Sequence, residues 1–243
     1  MVTSSPDPLR VAITIDVEHD CPPFLQSVRG MEEGMPRLLD LFARESIPAT
    51  FFTTGDMARR FPRVIERIVG DGHELGCHGD THKRFSAMLP DEAEREIAAA
   101  SATLRRAGEV VSFRAPNLDL PEAYLPLLHR AGYEVDSSRG RHKLGSYFVK
   151  PDQHSGLRRI PASISPSPLR TPGPIRDLLC RQLRNPVVLF FHPWEFVDLT
   201  HEPLRFDIVG RTGEPALSAL AATVAHFKRR GGLFQRIREI PVA

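Results

Sequence analysis

Two of the chain's ten histidines, His78 and His82, stand four residues apart in CHGDTH. That spacing lets both imidazoles reach one ion if the segment forms a helical turn or a tight turn of similar pitch. A random chain with this histidine content would show about 0.4 such pairs, so the spacing gains weight only from its company. The company is ITIDVEHD at 13–20. An extended chain alternates its faces, which turns Asp16, Glu18 and Asp20 one way and Val17 and His19 the other. Two neighbouring carboxylates on one face can divide labour, one holding a cation and the other staying free as a base. A carboxylate from this stretch plus the two histidines makes a set of three protein ligands with positions left open for water and substrate. Open positions mark a catalytic ion rather than a structural one. Arg114, at the end of VVSFR and before Ala-Pro, can fork onto a carboxylate and keep it ionised. His192 closes VVLFFH and leads into Pro193-Trp194-Glu195. A histidine titrates near working pH, so beside an ion it can protonate a departing amine. Asp136, after YEV, is positioned to raise that histidine's pKa or to fix its tautomer.

Residues so far apart in sequence meet only if the elements bearing them converge. Short apolar runs rich in β-branched and aromatic residues alternate with amphipathic stretches of helical length, the form of repeated βα units around parallel strands. The strand candidates are 11–16, 49–55, 73–78, 110–115, 133–138, 157–162 and 187–192. Helices are expected near 34–45, 62–70, 90–107, 121–131, 174–184 and 215–230. Several strand runs end in Asp16, His78, Arg114, Asp136 or His192, and in parallel α/β architectures the C-terminal strand ends form one rim. No internal repeat and no Gly/Ser linker divides the chain, so residues 1–243 are expected to form a single domain. The Pro-rich stretch 161–174 reads as a rigid surface connection or as a wall over a site.

Composition narrows the function classes. With 32 Lys+Arg against 30 Asp+Glu, the net charge of +2 argues against bulk nucleic-acid binding. Cys21, Cys77 and Cys180 form no CxxC pair and leave an odd thiol over, so neither a disulfide framework nor a cysteine zinc site is indicated, and a reducing compartment is the simplest reading. No secretory leader and no apolar run of membrane-spanning length is present, so the expectation is a cytoplasmic protein without a transmembrane segment. There is no GxSxG elbow and no GxGxxG phosphate loop from which to argue a serine hydrolase or a dinucleotide enzyme. The basic stretch 228–238 reads as a solvated face, with contact to anionic lipid or a phosphorylated substrate as the functional alternative.

In chain order, TIDVE, ATFFTTGD, GHELGCHGDTH, FRAPN, YEVDSS and LFFHPWE resemble the motifs of the polysaccharide deacetylase family, also called carbohydrate esterase family 4 or the NodB-homology domain. The resemblance implies an α/β fold, a distorted (β/α) barrel of seven parallel strands, that hydrolyses N- or O-acyl groups. It also implies one divalent metal ion, zinc first, with cobalt, manganese or nickel as alternatives. By position, Asp16 matches the catalytic base, His78 and His82 the metal histidines, Arg114 the residue that orients the base, His192 the general acid and Asp136 the residue that tunes the acid. Many members carry adjacent aspartates in the first motif, and Val17 fills the second of those positions here. A subset with Asp-Val-Asp spacing puts Glu18 in the metal role and leaves His19 and Asp20 as supporting groups. Asn117 stands where the family often has an aromatic residue, which makes that wall of the site more polar. The HPWE ending looks like the branch holding cytosolic deacetylases, deformylases and allantoinase-like amidohydrolases. The expected substrate is therefore a small or lipid-linked N-acyl carbohydrate, with a cyclic amide second. The rival readings are metal-free glycoside hydrolysis by Asp16 and Glu18, which leaves the histidines without a purpose, and a decayed carbohydrate- or lipid-binding protein.

Overall fold

Backbone groups in an apolar run can be satisfied only by a neighbouring strand, and strand windows such as 11–16 and 187–191 are buried on both faces. In the computed structural model, which describes residues 7–141, 156–164 and 167–241, they pair laterally into one sheet. Strands β1 (Arg10–Val17), β2 (Thr50–Thr53), β3 (Glu74–Cys77), β4 (Ser112–Phe113), β5 (Val135–Asp136), β6 (Arg158–Arg159) and β7 (Val187–Phe191) lie in the order β6-β5-β4-β3-β2-β1-β7, all parallel. They curl into a half-barrel with helices around it. Between the edge strands, Ser163 N donates to Val188 O at 2.7 Å and Ile164 bridges Leu189.

Parity along β1 decides what faces the barrel. Val11, Ile13, Ile15 and Val17 join the large core under the helices, whereas Ala12 belongs to an interior cluster with Phe52, Val135, Ile160, Val188, Ile237 and Ile240. Thr14 and Asp16 share the parity of Ala12 and so point inward. Strands β4, β5 and β6 are only two residues long because side chains take over the ladder at the rim. Ala115 N donates to Ser138 Oγ at 2.8 Å, and Ser138 N to Asp136 Oδ1 at 3.0 Å.

Helices α1 (Met35–Glu45), α3 (Pro62–Gly70), α4 (Pro90–Leu104), α5 (Leu125–Arg130), α6 (Gly173–Gln182) and α8 (Glu214–Arg229) fall where the apolar periodicity places them. Two shorter helices, α2 (Gly55–Arg60) and α7 (Phe206–Val209), are not anticipated. The window 49–55, read as strand to its end, stops at Thr53, because Thr54 accepts from Met57 N and caps α2. Strand β8 (Leu233–Phe234) is also new: it pairs in parallel with Arg10 and Val11 of β1. Within 228–238, Lys228, Arg229 and Arg230 are exposed, and several of the bases are paired with carboxylates. Lys228 pairs with Glu45 at 2.7 Å and Arg236 with Glu239 at 2.5 Å, while Arg238 reaches Glu109 at 2.5 Å and buried Glu74 at 3.4 Å. Cys21, Cys77 and Cys180 are buried free thiols. Among the described residues no helix is long and apolar enough to cross a membrane.

Candidate active site and metal centre

Glu18 follows β1, His78 follows β3, and His82 ends the loop that His78 begins, so the parallel strand ends deliver all three to one point. Their ligand atoms lie within 4.8 Å of one another. Glu18 Oε2 is 3.3 Å from His78 Nε2 and also contacts His82 Nε2. His78 Nδ1 lies 2.7 Å from the carbonyl oxygen of Arg114. A carbonyl only accepts, so Nδ1 carries a proton there, and Nε2 is the ring atom turned toward Glu18. Burial opposes ionisation of Glu18, but the hydrogen bonds from His78 and His82 and the charge of His192 outweigh it and hold the carboxyl well below the usual carboxylate range. Two imidazole nitrogens and one ionised carboxylate oxygen, crowded in a largely buried recess, fit a borderline divalent ion such as zinc.

The neighbours of Glu18 are used elsewhere. Asp20 is fully buried and accepts from Ser27 Oγ at 2.7 Å and from the backbone N–H of Arg29 and Gly30, both at 2.8 Å. It thereby anchors the π-helical turn Gly30–Gly34 that leads into α1. His19 turns outward, 3.5 Å from Asp56 and 2.9 Å from Arg60 Nη1. The shared face of Asp16, Glu18 and Asp20 holds only while the chain is extended, and β1 ends at Val17.

Asp16 stands on the interior face beside Glu18. Its Oδ1 accepts from Arg114 Nη1 at 2.7 Å. The Arg114 guanidinium, wholly inaccessible to solvent, also donates to Thr14 Oγ1 at 2.7 Å and Ser137 Oγ at 2.9 Å and lies 4.2 Å from the Phe52 ring centroid. With its donors spent on Thr14, Asp16 and Ser137, Arg114 holds Asp16 in one rotamer.

His192 faces the trio from β7, with Nε2 3.7 Å from Glu18 Oε1. Its Nδ1 donates to Glu195 Oε1 at 2.9 Å, and the same oxygen accepts the His192 backbone N–H at 3.0 Å. The ring stacks on Trp194, with centroids 5.1 Å apart and planes 19° from parallel. Burial works against the imidazolium, yet the bond to Glu195 and the charges of Glu18, Glu195 and Asp16 push its pKa up to about 9.

The expected pairing of Asp136 with His192 is not made. Asp136 Oδ2 lies 2.5 Å from Arg159 Nε, because β5 and β6 pair with Asp136 opposite Arg159 and the adjacent strand supplies the cation. Among the described residues, the carboxylates within ion-pair distance of the His192 ring are those of Glu18 and Glu195. Glu195 is the residue that the sequence reading passed over. Its signal was the i, i+3 spacing in HPWE, which a 3-10 turn closes on itself. From the Pro-rich stretch 161–174, of which 165 and 166 lie outside the described residues, Arg170 reaches 3.6 Å from Glu195 and 5.9 Å from the Trp194 ring centroid. Arg170 thus brings that stretch into contact with the His192–Glu195 turn. Asn117 is exposed in a left-handed conformation, φ 60°, in the turn Pro116–Leu118 after Arg114.

Residues 4–135 match the family model described as polysaccharide deacetylase. A chitooligosaccharide deacetylase of Sinorhizobium fredii is 38% identical over 79 residues, 32% of this chain and 37% of that protein. A peptidoglycan deacetylase of Helicobacter pylori is 31% identical over 122 residues, 49% of this chain and 41% of that protein. The match thus spans about two fifths of these curated relatives. A putative polysaccharide deacetylase structure from Mycobacterium smegmatis superposes with a TM-score of 0.70 at 19% identity, over 98% of this chain and 91% of that one, a likeness of fold. The region matched by the family model holds Asp16, Glu18, His78, His82 and Arg114, while His192 and Glu195 lie beyond it.

Proposed function

The chain belongs to the polysaccharide deacetylase family, and from that premise we propose that it is a metal-dependent hydrolase removing an acetyl or formyl group from an N-acyl amino sugar. The observation that carries this reading is the clustering of the Glu18, His78 and His82 ligand atoms with His192 Nε2 3.7 Å from Glu18 Oε1, next to a strand end whose Asp16 is held by Arg114. We take residues 1–243 as one such domain, since His192, from the far part of the sequence, completes the set that the N-terminal half begins.

Glu18, His78 and His82 would hold the ion, which when bound would polarise the acyl carbonyl and make a water more acidic. The chain's own groups do the rest. Asp16, fixed by Arg114, takes a proton from the water as its oxygen attacks the carbonyl carbon. The C–N bond breaks only if the nitrogen leaves protonated, because an amide anion is a very poor leaving group. His192 Nε2 faces the centre and gives up that proton, while Nδ1–H stays bonded to Glu195. The products are a carboxylate and a free amine. The names of the relatives favour a saccharide over a cyclic amide.

The test joins metal content to turnover. Protein purified without chelator should carry about one divalent ion per chain, and His78→Ala and His82→Ala should each strip it. Asp16→Asn should keep the ion and lose about 10²–10⁴-fold in rate, whereas Glu18→Gln should weaken metal binding. Release of amine and carboxylate is measured from N-acyl chitooligosaccharides, monomeric and lipid-carried N-acyl sugars and peptidoglycan at equal acyl concentration. Full metal occupancy in both histidine variants, or no acyl release from any of these, would overturn the reading.

A further inference from the structure

His82 holds φ at 61°, a left-handed value that few non-glycine residues adopt, and Gly79 in the same loop holds 77°. A loop bent this way needs restraint from outside itself, and two helices supply it. On one side, Glu96 of α4 reaches over the loop. Its Oε1 accepts from Asp80 N at 2.9 Å, Thr81 N at 2.5 Å and Thr81 Oγ1 at 2.9 Å, and Thr81 Oγ1 is also 3.2 Å from Oε2. On the other side, Arg59 of α2 grips Asp80 with two parallel bonds, Nη1 to Oδ1 at 2.6 Å and Nη2 to Oδ2 at 3.2 Å. Gly55 N and Asp56 N, at the start of α2, donate to Gly79 O and Asp80 O at 3.0 Å each. The fit is close: a Cβ on Gly55 would come within 1.9 Å of Asp80 Oδ1. These bonds from α2 and α4 fall on residues 79–81, between the two histidines.

We propose that Glu96 and the Arg59–Asp80 pair are positioning residues that hold His82 in its ligand conformation before any ion arrives. The proposal rests on the metal reading of Glu18, His78 and His82. A loop restrained from both sides has lost its alternative conformations at folding, so binding an ion need not order it again. The bonds from Glu96 are half-exposed, and removing them should cost the fold little while freeing the His82 backbone.

Chelator-stripped protein is titrated with zinc against a chromophoric competitor, and the melting temperature of each metal-free variant is measured in parallel. Wild type should bind one equivalent, and His82→Ala should bind far more weakly. Glu96→Ala should bind about 10–100-fold more weakly than wild type, with a metal-free melting temperature close to the parent. Arg59→Met, which frees the other side of the loop, should behave likewise. Glu96→Gln should recover most of the affinity, because an amide oxygen still accepts from the two backbone N–H groups. Wild-type affinity in Glu96→Ala overturns the proposal and leaves the metal reading standing. Affinity lost only in step with melting temperature in both variants also overturns it, as the mark of a merely structural contact. Wild type that binds no zinc, or His82→Ala that binds as tightly as wild type, removes the metal reading and the proposal together.

Discussion

At the scale of single residues, the proposed role of His192 as general acid depends on Glu195. Its carboxylate stabilises the imidazolium of His192 and fixes which ring nitrogen faces the centre. A general acid works only while protonated, so activity should fall as pH rises through the His192 titration. The charge of a bound ion would draw that limb below the value of about 9 without changing its direction. Glu195→Gln removes a charge that raises the pKa. The alkaline limb of kcat/KM should therefore move to lower pH, and the variant should lose more rate at pH 8 than at pH 6. Linkage carries the same sign: the folded-state pKa is raised, so the stability Glu195 confers is full below the ordinary histidine value of 6.5 and lost as pH rises through about 9. An alkaline limb unmoved in Glu195→Gln would show that another group sets it.

At the scale of elements, Glu18, His78, Arg114 and His192 each sit just beyond a strand, and Asp16 one residue before the end of β1. Asp20 shows how nearby side chains on one strand end take different tasks. Its carboxylate gathers Ser27 Oγ and two backbone N–H groups at the entry to α1. Gly30 must be glycine there, since a Cβ would come within 2.6 Å of Trp194 N and 2.8 Å of Asp20 Oδ1. Asp20→Ala should destabilise the protein by about 1–3 kcal/mol for each N–H left buried without a partner, read by urea unfolding, with metal stoichiometry unchanged. Normal stability with lost metal would instead make Asp20 a ligand.

At the scale of the whole molecule, the barrel is open to chemistry at the strand C-termini and shut at the other end. There the last residues fold back: Ile237 and Ile240 plug the interior, and Arg238 N donates to the fully buried carboxylate of Glu74 at 3.1 Å. Glu74 also accepts from Thr50 Oγ1 at 2.9 Å and Ser112 Oγ at 2.5 Å, which ties β2, β3 and β4 to the C-terminal segment. Glu74→Ala strands these donors and an arginine. It should cost about 3 kcal/mol, the low end for a broken buried pair, because Arg238 keeps Glu109. Limited proteolysis should then cut the C-terminal segment first, and a variant as resistant as wild type would show that this closure is dispensable.

Much of this was legible in the chain itself, because the signals are local. Apolar runs ending in Asp16, His78, Arg114 and His192 announce parallel strands with a chemical rim, since burial on both faces and the period of two are properties of each strand alone. Two histidines with a carboxylate from the first strand follow from residue type and spacing once the strand ends are known to converge, while the choice of Glu18 for that carboxylate came from the resemblance to the family. What only the tertiary structure decided was lateral: which strand lies beside which, and where an extended face stops. Asp136 went to Arg159 because β6 lies next to β5, and that left His192 to the carboxylate three residues along its own turn. Asp20 left the face of Asp16 and Glu18 because the strand ends at Val17. Strand β8 carries too few residues for any pattern, and exists because the barrel needs its base covered. Parity travels along the chain and can be counted; neighbourhood across the sheet is set by the packing of the whole.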